Sequence, residues 1–222
     1  MLRNLMSLIL SVGLLAIYDA PLSAIDLIDY PILTPQRLAL TQAYARRHYS
    51  QDSPLLYQPK IIMIHYTEIS DLEGSLKAFI PDQLPAHRDR LIYFGQVNVG
   101  THFLVDRDGT IFSLLPTTVM ARHAIGFNHT AIAVENVGVS PLTQAQLDAN
   151  VSLSAFLMAR HPSIEYLVGH MEYTNTLLPH YQHYIENDHK YEPHIKLDPG
   201  FEFMQQLRSE LQREHPHLHL KN

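Results

Sequence analysis

A carboxylate in the middle of an apolar strand is the first feature of this chain that asks for a chemical explanation. Ala131-Ile132-Ala133-Val134-Glu135-Asn136-Val137 reads as a strand. Alternation puts Glu135 on the face of Ala131, Ala133 and Val137, with Ile132 and Val134 opposite. Burying a carboxylate there is costly unless it is paired or used, and the small alanines would leave room for a cleft beside it. The strand alone leaves two readings open: a functional acid–base group, or a structural carboxylate satisfied by a nearby arginine or histidine.

Two histidines stand at comparable places. His65 ends the apolar run Ile61-Ile62-Met63-Ile64, and His170 ends the run from Ile164 to Gly169. A lone histidine at a strand end is commonly a satisfied core residue. Two of them with a carboxylate suit zinc, whose catalytic sites take three protein ligands and keep the fourth position for water. Asp198 is the candidate for the third ligand. In Lys196-Leu197-Asp198, extended chain turns Lys196 and Asp198 to the same side, one as ligand and the other as a cation beside it. A solvent-exposed ion pair in a loop is the competing reading. Among the other histidines, His102 alternates with apolar neighbours as a hydrogen-bonded core residue would. His215, His217 and His219 form an alternating tail expected to fray.

The elements that must position these residues follow from periodicity and punctuation. Thr34-Pro35 caps and opens a helix to about Tyr49. From Ser70 to Gly100 there is little periodicity, and Pro81 and Pro85 break any regular element. Thr101–Val105 and Thr110–Leu115 read as strands joined by a turn at Asp106-Arg107-Asp108-Gly109. Thr143 with Gln146 makes a capping box for a helix lined by Leu142, Ala145, Ala149, Leu153, Phe156 and Leu157, which His161-Pro162 ends. After Pro199-Gly200 a last helix carries Phe201, Met204, Leu207 and Leu211 on one side. Strands and helices alternate without repeats, so the class is α/β or α+β, one domain around a single sheet.

Composition sets the surroundings. Met1-Leu2-Arg3, an uncharged run from Leu5 to Tyr18, and Pro21-Leu22-Ser23-Ala24 predict a secretory signal peptide over residues 1–24, with an uncleaved anchor as the alternative. Residues 25–222 then form the domain, exported to the periplasm or secreted, with no stable membrane anchor after cleavage. With 22 acidic and 16 basic side chains the formal net charge is −6, which argues against nucleic acid as a partner. No cysteine is present, so neither a disulfide framework nor a lipid-modified cysteine is available. Fifteen histidines point towards metal.

Taken in order, several segments resemble the zinc-dependent N-acetylmuramoyl-L-alanine amidases, a family that includes phage T7-type lysozymes and peptidoglycan recognition proteins. They are Ile62-Met63-Ile64-His65-Tyr66-Thr67, then Gly100 to Thr110, Ala121-Arg122-His123, Asn128, Ala131 to Gly138, Val168-Gly169-His170 and Lys196-Leu197-Asp198-Pro199-Gly200. The resemblance implies a central mixed sheet flanked by helices, with one Zn2+ per chain at one end of the sheet, held by His65, His170 and Asp198. It assigns Glu135 and Lys196 to catalysis and His123 and Asn128 to the substrate groove, with peptidoglycan or muropeptides as partner. Three departures stand out. Thr101 replaces the tyrosine of the phage lysozymes, Arg122 replaces a tryptophan of many relatives, and the stretch from His170 to Asp198 is longer than in compact members.

The expected reaction is hydrolysis of the amide between the lactyl group of N-acetylmuramic acid and L-alanine. A peptidoglycan-binding module that does not cut, a cytoplasmic recycling amidase and a histidine-rich metal carrier are the competing readings.

Overall fold

The computed structural model describes residues 25–221; the expected signal segment lies outside them. One six-stranded mixed sheet, ordered β1-β4-β3-β5-β2-β6, forms the centre. Its strands are β1 Leu27–Asp29, β2 Ile61–Tyr66, β3 Phe103–Val105, β4 Ile111–Ser113, β5 Ala131–Asn136 and β6 Tyr166–Gly169. Only the β3–β4 hairpin is antiparallel; β5, β2 and β6 run parallel side by side. This is the mixed sheet that the sequence led us to expect.

The parallel strands are buried on both faces, which is why β2 and β6 read as continuous apolar runs. Ile62, Ile64, Ile132, Val134 and Leu167 face two helices, α4 (Gln144–Arg160) and α5 (Phe201–Glu214). Ile61, Met63, Ala131 and Val168 face the opposite layer, which holds Phe127 and Tyr173. Beyond that layer lies α1 (Pro35–Tyr49), capped by Thr34, whose hydroxyl accepts from the Arg37 amide at 3.0 Å.

Several boundaries match expectation and others do not. The Thr143–Gln146 capping box is formed. The buried face of α4 is broader than expected, because it carries polar groups that bond inward. Gln146 Nε2 donates to Val137 O at 2.9 Å and Asn150 Nδ2 to Asn136 Oδ1 at 2.7 Å. On α5 it is Phe203 that packs inward, while Phe201 is exposed. The stretch from Ser70 to Gly100 holds two short helices, α2 (Leu72–Phe79) and α3 (Asp89–Tyr93). Asp71 caps α2 by accepting from the Gly74 amide at 2.8 Å. The histidine-bearing tail is not frayed: Leu218 and Leu220 pack on the core, and the Lys221 amide donates to Glu165 O at 2.8 Å.

Candidate active site

The carboxyl ends of parallel strands leave backbone groups and side chains open at one edge of the sheet, where ligands of such sheets gather. The register decides what meets there. His65 on β2 pairs with Glu135 on β5, and Ile64 pairs with Gly169 on β6, so His170 follows at the same level. His65 and Glu135 share the strand parity of Met63 and Ala133, which turns both away from α4 and α5.

Each of these positions is braced. Asn136 Nδ2 donates to His65 O at 3.0 Å, while its Oδ1 is held by Asn150 from α4. Before His170, the Gly169 amide donates to Glu172 Oε2 at 2.8 Å, and Arg208 of α5 grips the same carboxylate. Gly169 itself is required by close approach: a Cβ there would lie 2.9 Å from Met204 Cγ and 3.2 Å from Pro199 Cδ. Asp198 arrives at the end of the long stretch after His170, docked by a hydrogen bond from the Met171 amide to its carbonyl at 2.8 Å.

Three atoms then converge. His65 Nδ1 and His170 Nδ1 lie 2.9 Å apart, and Asp198 Oδ2 lies 3.1 Å from the first and 2.9 Å from the second. Burial, reinforced by His65, lowers the His170 pKa to about 4, leaving a neutral ring with a lone pair to offer. Burial alone would raise the Asp198 carboxyl, but hydrogen bonds from His170 and His65 hold it well below the usual range. Two imidazole nitrogens and one carboxylate oxygen thus meet in a buried cluster with little competing solvation. That donor set, closed to within about 3 Å, fits a divalent ion such as zinc, whose ligand bonds are about 2.0–2.2 Å. His65 turns its other nitrogen to His123, with Nε2 3.0 Å from His123 Nδ1, a contact that orients a metal-ligating ring. Burial pushes the His123 pKa well below its ordinary value, so this partner is neutral too.

Glu135 is partly buried, and its Oε2 is fully enclosed without a hydrogen-bond partner among the described residues. Burial raises its pKa to about 7, against the pull of His65. Among the described residues no arginine or histidine forms a salt bridge with this carboxylate. Lys196 is exposed on the cleft and makes no ion pair among the described residues. His65, His123, Glu135, His170, Lys196 and Asp198 together line one opening of about 390 Å3. Asn128 is not on that surface. It is fully buried beneath it, where Oδ1 accepts from the amides of His123 and Ala124 at 2.9 and 2.7 Å and Nδ2 donates to the Tyr44 hydroxyl.

The other singled-out residues have structural work. His102 is completely buried, with Nδ1 accepting from the Ala133 amide and Nε2 donating to Val119 O, both at 2.9 Å. Thr101 is buried and donates to Phe103 O and Ala133 O, away from the cleft. Arg122 clamps a loop, donating to Leu91 O, Gly95 O and Val97 O at 2.7–2.8 Å with its guanidinium over the Tyr44 ring. Periodicity missed Tyr173, whose hydroxyl bonds both the carbonyl and the amide of His194 and so fixes the segment leading to Asp198. It also missed Arg88, just before α3, and Arg90 on it, which open onto the cleft. The only sequence signal for those two was the unpaired basic pattern Arg88-Asp89-Arg90.

Comparison with known proteins bears on the fold and the family. The solved N-acetylmuramoyl-L-alanine amidase LysC from Clostridium intestinale URNW superposes with a TM-score of 0.51 at 18% identity, covering 85% of this chain and 99% of that one, and so shows the same fold. Human PGRP-IBETAC, solved in complex with glycosamyl muramyl pentapeptide, is similar at a TM-score of 0.44 and 25% identity over 57% of this chain and 80% of that one. No curated protein matches the chain by sequence. The family model described as N-acetylmuramoyl-L-alanine amidase matches residues 55–200. That stretch is more than half of the chain and contains every member of the cluster, from His65 through Glu135 and His170 to Asp198: the protein belongs to the N-acetylmuramoyl-L-alanine amidase family.

Proposed function

We propose that this chain is a zinc-dependent hydrolase that cuts the amide bond between the lactyl group of N-acetylmuramic acid and L-alanine in peptidoglycan, acting outside the cytoplasm. The observation that carries the reading is the meeting of His65 Nδ1, His170 Nδ1 and Asp198 Oδ2 beside an unpaired Glu135 carboxylate. A zinc ion held by those three side chains would supply an activated water at neutral pH and polarise the scissile carbonyl.

The chain's own groups do the rest. Glu135, with a pKa raised to about 7, takes a proton from the attacking water. It then gives that proton to the departing nitrogen of L-alanine, so the products are a lactyl carboxylate and a free amine. Lys196, a cation on the cleft wall, stabilises the negative charge that develops on the carbonyl oxygen. His123 holds the His65 ring in place, and Asn128 holds the backbone of His123.

The test is the appearance of new amino groups when purified peptidoglycan is incubated with the protein. They are expected with zinc and lost on chelation. Protein that sediments with the polymer and releases no amine in either condition would be a binding module instead.

A further inference from the structure

Away from the cleft, one group of metal-ligating side chains has no part in the chemistry above. His215, His217 and His219 follow α5 and lie among the last described residues. Local structure gathers them. The Leu218 amide donates to His215 O at 2.9 Å, closing a turn that folds the chain back after α5. Across that turn the rings of His215 and His217 have their centres 6.0 Å apart. Past the turn the burial alternates: Leu218 and Leu220 pack on the core, while His217 and His219 are exposed. Alternation of this kind puts residues two apart on one side, here the outer side.

The backbone that carries these rings is held at both ends. It continues from α5, whose Leu207 and Leu211 are buried in the core. At its far end the Lys221 amide donates to Glu165 O at 2.8 Å, and the Lys221 ammonium pairs with the Glu165 carboxylate. The rings themselves make no side-chain hydrogen bond or ion pair among the described residues. Three imidazoles are therefore displayed on an anchored support with their nitrogens unused.

Two imidazoles on one zinc ion, with Zn–N bonds of about 2.0–2.1 Å, have ring centres about 5–6 Å apart. The 6.0 Å between His215 and His217 is close to that spacing. The nitrogens are not closed on one point, as those of the buried cluster are, where the ligand atoms lie within 4.8 Å of one another. Exposed side chains change rotamer readily, so the rings can close on an ion. Closure from a more open arrangement, without a carboxylate, makes the hold weaker than in the cluster.

We propose that His215, His217 and His219 form a second metal site, an exchangeable one for divalent ions that accept imidazole, such as zinc, nickel or copper, and not for calcium or magnesium. The site does not depend on the hydrolase reading. It fills after the buried cluster and empties on desalting, which leaves the ion of the cluster in place.

The test is calorimetric titration of zinc into zinc-loaded, desalted protein in a buffer that does not bind metal. One further ion per chain is expected. Its affinity should fall about tenfold in His215→Ala, and its binding should vanish in His217→Ala with His219→Ala. Calcium should give no binding heat. His217 and His219 are exposed and unbonded, so the melting temperature of the paired variant before titration should match that of the parent. Added zinc should then raise the melting temperature of the parent alone, because an ion that binds the folded tail stabilises it. No uptake beyond the cluster's ion, uptake that survives in the paired variant, or an equal response to calcium overturns the site. Peptidoglycan cleavage is not read in this experiment, so its outcome leaves the hydrolase reading untouched.

Discussion

His65 and Glu135 are direct partners across the β2–β5 ladder, the proposed ligand and the proposed acid–base group fixed at one level by strand register. A slip of one residue in that ladder would send one of them to the α4–α5 side. The parallel pairing therefore sets the spacing of the site before any side chain packs.

Replacing Glu135 separates catalysis from metal binding. Glu135→Gln keeps the shape of the side chain but cannot carry the proton, and should lower turnover about 10²–10⁴-fold. Zinc content, measured by elemental analysis, should stay near one per chain. Turnover close to that of the unsubstituted enzyme would remove Glu135 from the mechanism.

The same residue makes zinc-free protein sensitive to pH. Its folded pKa of about 7 lies above the ordinary value of 4.5, so folding favours the protonated form. The stability this contributes is complete below about pH 4.5 and is lost as pH rises through about 7. Glu135→Gln has no such loss. Its stability advantage over the unsubstituted protein should grow by about 2–3 kcal/mol between pH 4.5 and 8 in urea denaturation. A constant difference across that range would contradict the burial argument.

His123 should matter through the ring it orients. His123→Phe removes the partner of His65 Nε2 while keeping a ring in the wall. Zinc affinity, read by competition with a coloured chelator, is expected to fall about 10–100-fold. An unchanged affinity would reduce His123 to wall packing.

Arg122→Leu should cost stability because it leaves the carbonyls of Leu91, Gly95 and Val97 without their donor. A loss of about 3 kcal/mol follows from unsatisfied buried acceptors, visible as a melting temperature lower by about 6–12 °C. Zinc binding should survive, since Arg122 donates to none of the cluster atoms.

How much of this was legible in the sequence depended on the range of the interactions. The runs of β2 and β6 announced themselves because strands buried on both faces must be apolar throughout. Thr143 and Gln146 gave the start of α4 because a capping box is a contact over three residues. By contrast α2 spans only eight residues, too few for Leu72, Leu76 and Phe79 to establish a period. The buried edge of α4 was misread because Gln146 and Asn150 are polar and yet bond into the sheet. At the site, His65 and Glu135 were visible as chemistry out of place in apolar strands. Their meeting with His170 and Asp198 joins residues 105 and 133 positions apart, a closure only the register and the resemblance could suggest. Asn128 shows the limit: nothing in its neighbours says that its amide faces inward to Tyr44 and the His123 backbone.

The most direct test of the central claim is mass spectrometry of purified peptidoglycan after digestion by the zinc-loaded protein, its Glu135→Gln variant and the chelated protein. The account predicts stem peptides with a free N-terminal L-alanine and glycan strands with free lactyl carboxylates, formed by the zinc-loaded enzyme alone. Peptidoglycan that stays intact in all three digestions, while still retaining the protein, would contradict it.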